Sequence, residues 1–416
     1  MPFQANDKIQ IALIGAGGMG TGDATSAQQV PGVKLIAAAD LYDGRLERVK
    51  ERWGNDVFVT RDYREVLARK DVDAVIIATP DHWHSKISMD ALEAGKDVYC
   101  EKPMVQKIEQ GHEVVAAAKR TGRILQVGSQ YASSMVFHKA KDLVAQGAIG
   151  ELNLVEAWLD RSTALGAWQY SIPPDANTSR VDWDRYVANT TKRPFDAKRF
   201  FRWRNYQDYG TGVAGDLYVH LLTGLHVVTG SMGPTRVYAT GGIRHWNDER
   251  DVADVTLALL DYPKFTLSLK VNFAAGNVGE NFGLRFTGTD GIMNIGYNTV
   301  TLVRRPREAQ PGMSIGTFPK AVQEQFLKDY YAKYPKESVS ADSMRGDRED
   351  VYRPPQDHVP HFEHHLNFYK AVRSRKPFFE DAEFGLRTAG PALLCNHSYF
   401  EKKICTWDPA TLKRTA

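Results

Sequence analysis

The chain has 416 residues, with 53 Lys and Arg against 50 Asp and Glu, a formal net charge of +3. That near balance lacks the basic footprint that nucleic acid or an anionic membrane surface demands. A hydrophobic fraction of 43% with 25% charged residues describes a globular protein long enough for two or three domains, and no apolar run approaches the roughly 18 residues of a spanning helix.

Cys100, Cys395 and Cys405 are too few and too scattered for a disulfide framework or a zinc knuckle, which points to a reducing compartment. The N-terminal run MPFQANDKIQ has no charged region leading into an apolar one, so the expectation is a cytoplasmic protein. A periplasmic location is the alternative if an export signal has been trimmed.

In chain order, apolar β-type runs alternate with amphipathic helical ones from Lys8 to Gln130. Strands are expected at Ile9–Ile14, Val33–Ala39, Ala74–Ala78, Asp97–Cys100 and Ile124–Val127, and helices at Gly44–Trp53, Tyr63–Arg69, Ser85–Ala94 and Ile108–Arg120. Gly95 and Gly122 stand where C-terminal caps belong. This alternation predicts a parallel sheet covered on both faces.

Beyond about Tyr131 the rhythm changes. A helix over Val136–Gln146 precedes longer, alternating strands at Glu151–Asp160, Val237–Thr240, Asp254–Leu260, Phe265–Phe273 and Gly283–Gly288, with a turn at Asp261-Tyr262-Pro263-Lys264. Fewer helices between alternating strands predict an α+β second domain with a large open, mostly antiparallel sheet. The division expected is 1–130 and 131–416. Residues 304–358, rich in Pro, Lys, Glu and Asp with one helical run at Ala321–Lys333, read as a surface excursion that wraps the chain or a neighbouring subunit.

The first strand runs into Gly15-Ala16-Gly17-Gly18-Met19-Gly20, a G-x-G-x-x-G turn leading into a helix. The first Gly permits the tight turn, the second close backbone approach to a diphosphate, the third helix-to-strand packing, and the helix N-terminus offers free N–H groups. The next strand ends in Asp40, whose carboxylate accepts ribose hydroxyls and repels a 2′-phosphate, favouring NAD over NADP despite nearby Arg45. The first domain is therefore read as an NAD-binding α/β Rossmann domain. Ala78-Thr79-Pro80 ends a buried strand at the carboxyl edge, where such sheets bind ligands, so Thr79, Pro80 and the following Asp81-His82-Trp83-His84 are expected at the nicotinamide or the substrate mouth. Two histidines two residues apart without a Cys do not make a metal site. His361, His364 and His365, at helical spacing without the H-E-x-x-H order, read as a surface helix.

At the end of the strand Asp97–Cys100 comes Glu101-Lys102-Pro103, where the Pro biases Lys102 to an extended backbone. Downstream, Gly210-Thr211-Gly212-Val213-Ala214-Gly215 leads into a helix with Asp216 and His220 at i and i+4, beside an apolar stripe of Leu217, Leu221, Gly224 and Val228.

With the GAGGMG turn, ATPDHWH, EKP and the D-x-x-x-H segment, nearly the whole chain resembles the Gfo/Idh/MocA family of NAD(P)-dependent sugar and polyol oxidoreductases. The resemblance extends to a branch with VDWDRYV and FRWR segments whose members are often exported. It departs at Gly210-Thr211-Gly212, where relatives more often carry consecutive glycines. The resemblance implies that Lys102 hydrogen-bonds the reacting hydroxyl, that His220 is the general base, and that Asp216 orients the imidazole or the sugar. It implies further cofactor contacts from Glu101, His84, Gln130, Trp203 and Arg204, and substrate contacts from Arg161 and Tyr209. The chemistry needs such a set, because hydride leaves an alcohol carbon readily only if the O–H proton departs too.

The expected activity is hydride transfer between NAD and a secondary hydroxyl of a pyranose, glycoside or cyclitol, with no metal. Two alternatives stand beside it: a glycosidase that oxidises C3 transiently and keeps its cofactor, and a non-catalytic sugar or dinucleotide sensor. A neutral carbohydrate is the expected partner. A homodimer or homotetramer is expected too, because an open sheet needs its far face covered.

Overall fold

In a computed structural model of the chain, residues 8–277, 279–304, 312–335, 349–376 and 378–415 are described. The first half builds β1 (Ile9–Ile14), α1 (Gly18–Gln28), β2 (Val33–Ala39), α2 (Asp43–Trp53), β3 (Phe58–Thr60), α3 (Tyr63–Leu67), β4 (Ala74–Ile77), α4 (Asp81–Glu93), β5 (Asp97–Glu101), α5 (Ile108–Thr121) and β6 (Leu125–Gly128). The strands form a six-stranded sheet ordered β3-β2-β1-β4-β5-β6, and every pairing is parallel. Nearly every residue of β1, β4, β5 and β6 is buried, as expected where helices cover both faces of a sheet.

The second half adds α6 (Met135–Ala145), β7 (Leu152–Asp160), the short α7 (Trp183–Tyr186) and α8 (Ala197–Phe201), α9 (Val219–Thr229), β8 (Arg236–Gly242), β9 (Val255–Asp261), β10 (Thr266–Asn272), β11 (Asn281–Gly288), β12 (Gly291–Ile295) and β13 (Val300–Arg304). It closes with α10 (Lys320–Lys333), β14 (Glu349–Tyr352), α11 (Pro360–Ser374), α12 (Ala382–Glu401), β15 (Cys405–Asp408) and β16 (Lys413–Arg414). Its ten-stranded sheet runs β14-β13-β12-β11-β7-β10-β9-β8-β15-β16. Among the described residues, β7 and β10 are the one pair of its strands that runs parallel. Inward positions such as Val155, Leu267, Leu269 and Phe286 are buried against the helices, while Tyr238, Leu257 and Leu259 lie exposed on the outer face.

The two-part α/β plus α+β reading matches this architecture, with several differences. The helix expected from Ser85 starts at Asp81, capped by Pro80 with an acidic residue in its first turn; buried His82, His84, Ser85 and Ser88 hide its apolar period. β3 is too short to register as a run. Part of the expected excursion lies outside the described residues. Within it, α10 has no buried residue, whereas Glu349–Tyr352 pairs with β13 and extends the sheet.

The three-histidine segment is not a surface helix. α11 packs against α1 and the 3-10 turn Gln130–Ser133, so the far end of the chain completes the core of the first sheet. His364 and His365 are buried there, and the His365 ring stacks on Tyr99 at 4.3 Å. Among the described residues no helix is long and apolar enough to cross a membrane. The three cysteines are free and buried.

Candidate active site

A cleft of about 690 Å³ opens along the carboxyl edge of the parallel sheet, lined by Gly15, Gly17, Gly18, Met19, Asp40, Thr79, Pro80, Trp203 and Arg204 among others. Gly15 has φ +95°, and a Cβ there would lie 2.6 Å from the carbonyl carbon of Ala78. The turn therefore needs glycine both for its backbone angle and for its approach to β4. Gly18 faces open space, and Gly20 packs its Cα side onto the turn itself. Asp40 fastens the turn to β2: its Oδ2 accepts from the Ala16 amide at 2.8 Å and its Oδ1 from the Tyr42 amide at 3.0 Å. Arg45 Nη1 stands 3.5 Å from Asp40, and its guanidinium spreads over the rings of Phe201 and Phe200 at 5.4 and 5.8 Å.

One lining atom lacks a partner: Thr79 Oγ1 is buried without a hydrogen bond. With the glycine cradle and the Asp40 carboxylate, these are the groups a dinucleotide would satisfy, so the residues present fit that cofactor.

The catalytic candidates meet at the seam between the two halves. Lys102, at the end of β5, donates from Nζ to the Asp216 carbonyl oxygen and to Asp216 Oδ1, both at 2.9 Å. Arg204 Nε donates to the same Oδ1 at 3.1 Å, with its guanidinium 4.2 Å above the Trp203 ring. Asp216 sits in a π-helical turn, Ala214–Tyr218, that runs into α9. Burial alone would raise its carboxyl, yet Lys102 and Arg204 hold it well below the usual carboxylate range.

No hydrogen bond joins Asp216 to His220, because two cations within about 3 Å outcompete a neutral imidazole for the carboxylate. The i,i+4 spacing thus serves Lys102 rather than the histidine. His220 is held strongly below the normal histidine value, first by burial and then by Lys102 and Arg161, with Asp216 pulling the other way. Its ring lies 5.3 Å from that of Tyr131, and its Nδ1 is buried without a partner.

Other expected site residues land elsewhere. His84 ties two loops together, its ring nitrogens 2.7 Å from the Pro103 oxygen and 2.8 Å from the Thr79 oxygen, and burial lowers its pKa to about 4. It supports the cleft without lining it. His82 is buried among Tyr186 and Tyr209, and only Trp83 of that tetrapeptide's aromatic rings lines the cleft.

Glu101 accepts from Gln130 Nε2 at 2.9 Å; burial and the nearby Asp23 carboxyl push it well above the usual range. Tyr209 is fully buried in an aromatic cluster with Trp183, Tyr186 and Phe200, away from the cleft lining. Arg161 is held at the seam by Glu280, Nε to Oε2 at 2.5 Å.

Asp81 is buried and accepts from Thr211 Oγ1 at 2.7 Å. Burial and Asp216 raise its carboxyl to about 7, against the Thr211 hydrogen bond. This explains the Gly-Thr-Gly departure: Thr211 anchors the Gly-rich segment to α4. Tyr131 and Tyr170, the latter with Arg204 6.0 Å above its ring, were not anticipated, since neither belongs to a motif that distinguishes it among 18 tyrosines. Among the described residues no group of His, Cys, Asp and Glu is arranged to hold a metal ion.

Comparison with known proteins bears on the family and the fold. Residues 9–129 match the profile of the "Oxidoreductase family, NAD-binding Rossmann fold" and residues 179–294 that of the "GFO/IDH/MocA C-terminal domain". An inositol 2-dehydrogenase from Rubrobacter xylanophilus is 35% identical over 198 residues, 47% of this chain and 53% of that protein. A glycosyl hydrolase family 109 protein from Shewanella baltica is 30% identical over 158 residues, 35% of this chain and 34% of that one. The chain thus spans about half the length, or less, of these curated relatives. A levoglucosan dehydrogenase solved with NADH and levoglucosan superposes with a TM-score of 0.69 at 18% identity, covering 95% of this chain and 98% of that one, which is a likeness of fold.

Proposed function

The chain belongs to the Gfo/Idh/MocA oxidoreductase family, and on that premise we propose that it is an NAD-dependent dehydrogenase acting on a secondary hydroxyl of a pyranose, glycoside or cyclitol. The observation that carries the reading is the Lys102–Asp216 pair set beside a neutral imidazole at the mouth of a dinucleotide cleft. The relatives named inositol and levoglucosan dehydrogenase support the substrate class.

Bound in the cleft, the nicotinamide would supply the hydride acceptor. The glycine turn and the N-terminus of α1 would receive the diphosphate, and Asp40 the ribose hydroxyls. Two of the three Lys102 protons are committed to Asp216, which leaves the third for the reacting oxygen and fixes its direction. The ammonium stabilises the oxygen as its proton leaves. His220 is neutral at physiological pH and is free to take that proton.

The test is NADH absorbance on mixing protein, NAD and a panel of inositols, glucosides and anhydrosugars. Turnover is expected with at least one member, and silence across the panel refutes the reading. A second reading, the retained-cofactor glycosidase, is favoured by the glycosyl hydrolase family 109 relative. Aglycone release from an aryl glycoside without added NAD would select it. We further propose that the outer sheet face bearing Tyr238, Leu257 and Leu259 joins copies of the chain. Light scattering should then give a dimer or tetramer that Leu259→Lys dissociates.

A further inference from the structure

At the seam two cations share one carboxylate. Lys102 Nζ and Arg204 Nε both donate to Asp216 Oδ1, at 2.9 and 3.1 Å, and of the three side chains only that of Arg204, at 22%, keeps appreciable exposure. The other carboxyls nearby do not make up the difference. Burial pushes up both Glu101 and Asp81, the latter to about 7, and Asp81 bonds Thr211 rather than a cation. Arg161, the next cation along, is paired with Glu280. Among the described residues one positive charge of this cluster is left without a counterion, an arrangement that favours an anionic guest.

Arg204 is where that charge is offered. Asp216 fixes its Nε, the Trp203 ring lies 4.2 Å from the guanidinium, and the Tyr170 ring lies 6.0 Å from it. Trp203 is seated against Gly210, where a Cβ would lie 3.3 Å from the indole. Nη1 and Nη2 make no hydrogen bond among the described residues, and Arg204 lines the cleft beside Tyr170 and Trp203. Two N–H groups at the end of a planar, immobilised cation match the two oxygens of a carboxylate. The cofactor diphosphate does not need this fork, since the glycine turn and the N-terminus of α1 supply its donors. Because Arg204 and Lys102 bond the same Asp216 oxygen, one pyranose ring can bridge from the fork to the ammonium that meets the reacting hydroxyl.

We propose that Arg204 binds a carboxylate of the substrate, so that the preferred substrate is a uronate or uronide rather than a neutral sugar, an inference that rests on the dehydrogenase reading above. The carboxylate supplies the missing negative charge and turns the ring so that one secondary hydroxyl faces Lys102. It is unchanged in the reaction: hydride leaves the carbinol carbon for the nicotinamide and the hydroxyl proton leaves for His220.

The experiment measures NADH formation from methyl glucoside against methyl glucuronide and from methyl galactoside against methyl galacturonide. It uses wild type, Arg204→Met and Arg204→Lys, with NAD affinity titrated in parallel. Wild type should prefer at least one uronide to its neutral partner by about 30-fold in kcat/KM. Arg204→Met should bring that ratio to about 1, and Arg204→Lys, which keeps the charge without the fork, should leave an intermediate ratio, both with NAD affinity within about threefold of wild type. A purely structural role would lower both members of a pair alike. A wild type that turns over the neutral members as fast as the uronides, or only neutral polyols, overturns the inference whether or not the variants fold, and leaves the dehydrogenase reading standing. So does an Arg204→Met protein that keeps the preference, or one whose main loss is NAD affinity, which gives the fork to the cofactor. No turnover by wild type of any sugar or cyclitol, neutral or charged, overturns both.

Discussion

The two halves of the molecule build their share of the site by different means. In the parallel-sheet half, recognition is made of backbone: the Gly15–Gly20 turn, the first turn of α1 and one carboxylate, all between Gly15 and Asp40 in sequence and all positioned by β1 and β2. At the seam, function is made of side chains brought together from far apart. Lys102 and Asp216 are separated by 114 positions yet bond at 2.9 Å. At Gly15 and Gly20 the backbone site leaves no room for an added methyl group, whereas a side-chain site tolerates changes of shape but not of charge.

The largest effect should come from the seam. His220→Ala and Lys102→Met should each lower kcat by about 1,000-fold while the NAD dissociation constant stays within about threefold, because neither side chain lines the dinucleotide cleft. Steady-state NADH formation together with calorimetric titration of NAD separates the two quantities. A weakened NAD affinity with preserved kcat would erase the contrast between the halves. The opposite pattern is expected of Gly15→Ala: its Cβ meets the Ala78 backbone at a φ that costs an L-residue about 1–2 kcal/mol. NAD binding should weaken by about 100-fold, with kcat at saturating NAD much less affected.

The same difference decides what could be read from the chain. The glycine turn, Asp40 and β1 to β2 are local, so spacing alone located them, and β1 and β2 carry the expected limits. Asp216 and His220 were found as a pair for their spacing, but their partnership was not: the carboxylate binds Lys102 and Arg204, which no periodicity connects to it. His364 and His365 were placed on the surface because a helix with several polar residues reads as solvated. The surface that buries them belongs to α1 and Tyr99, more than 250 residues earlier. Helix α4 began early for a similar reason, its buried face being lined with histidine and serine rather than aliphatic residues.

Asp81 and Asp216 give the smallest test, and the one that links the halves. Both are buried under the same two cations, yet Asp216 bonds them directly while Asp81 has only Thr211. Asp216 is accordingly driven down, and Asp81 is raised from 3.8 to about 7. Between those two values the folded protein holds a proton that the unfolded chain has lost. Stability should therefore fall as pH rises from about 4 to about 7 and level off above, a contribution of about 4 kcal/mol at most.

Asp81→Asn keeps an acceptor for Thr211 and cannot ionise. It should change kcat/KM by less than about threefold at pH 6, flatten the melting temperature between pH 5 and 8, and remove any bend in the kcat/KM profile near pH 7. His220, His82 and His84 cannot supply that bend, since burial holds all three well below it. If the variant keeps the slope and the bend, the neutral-range ionisation belongs to another group, and the two carboxylates are not divided as their partners imply.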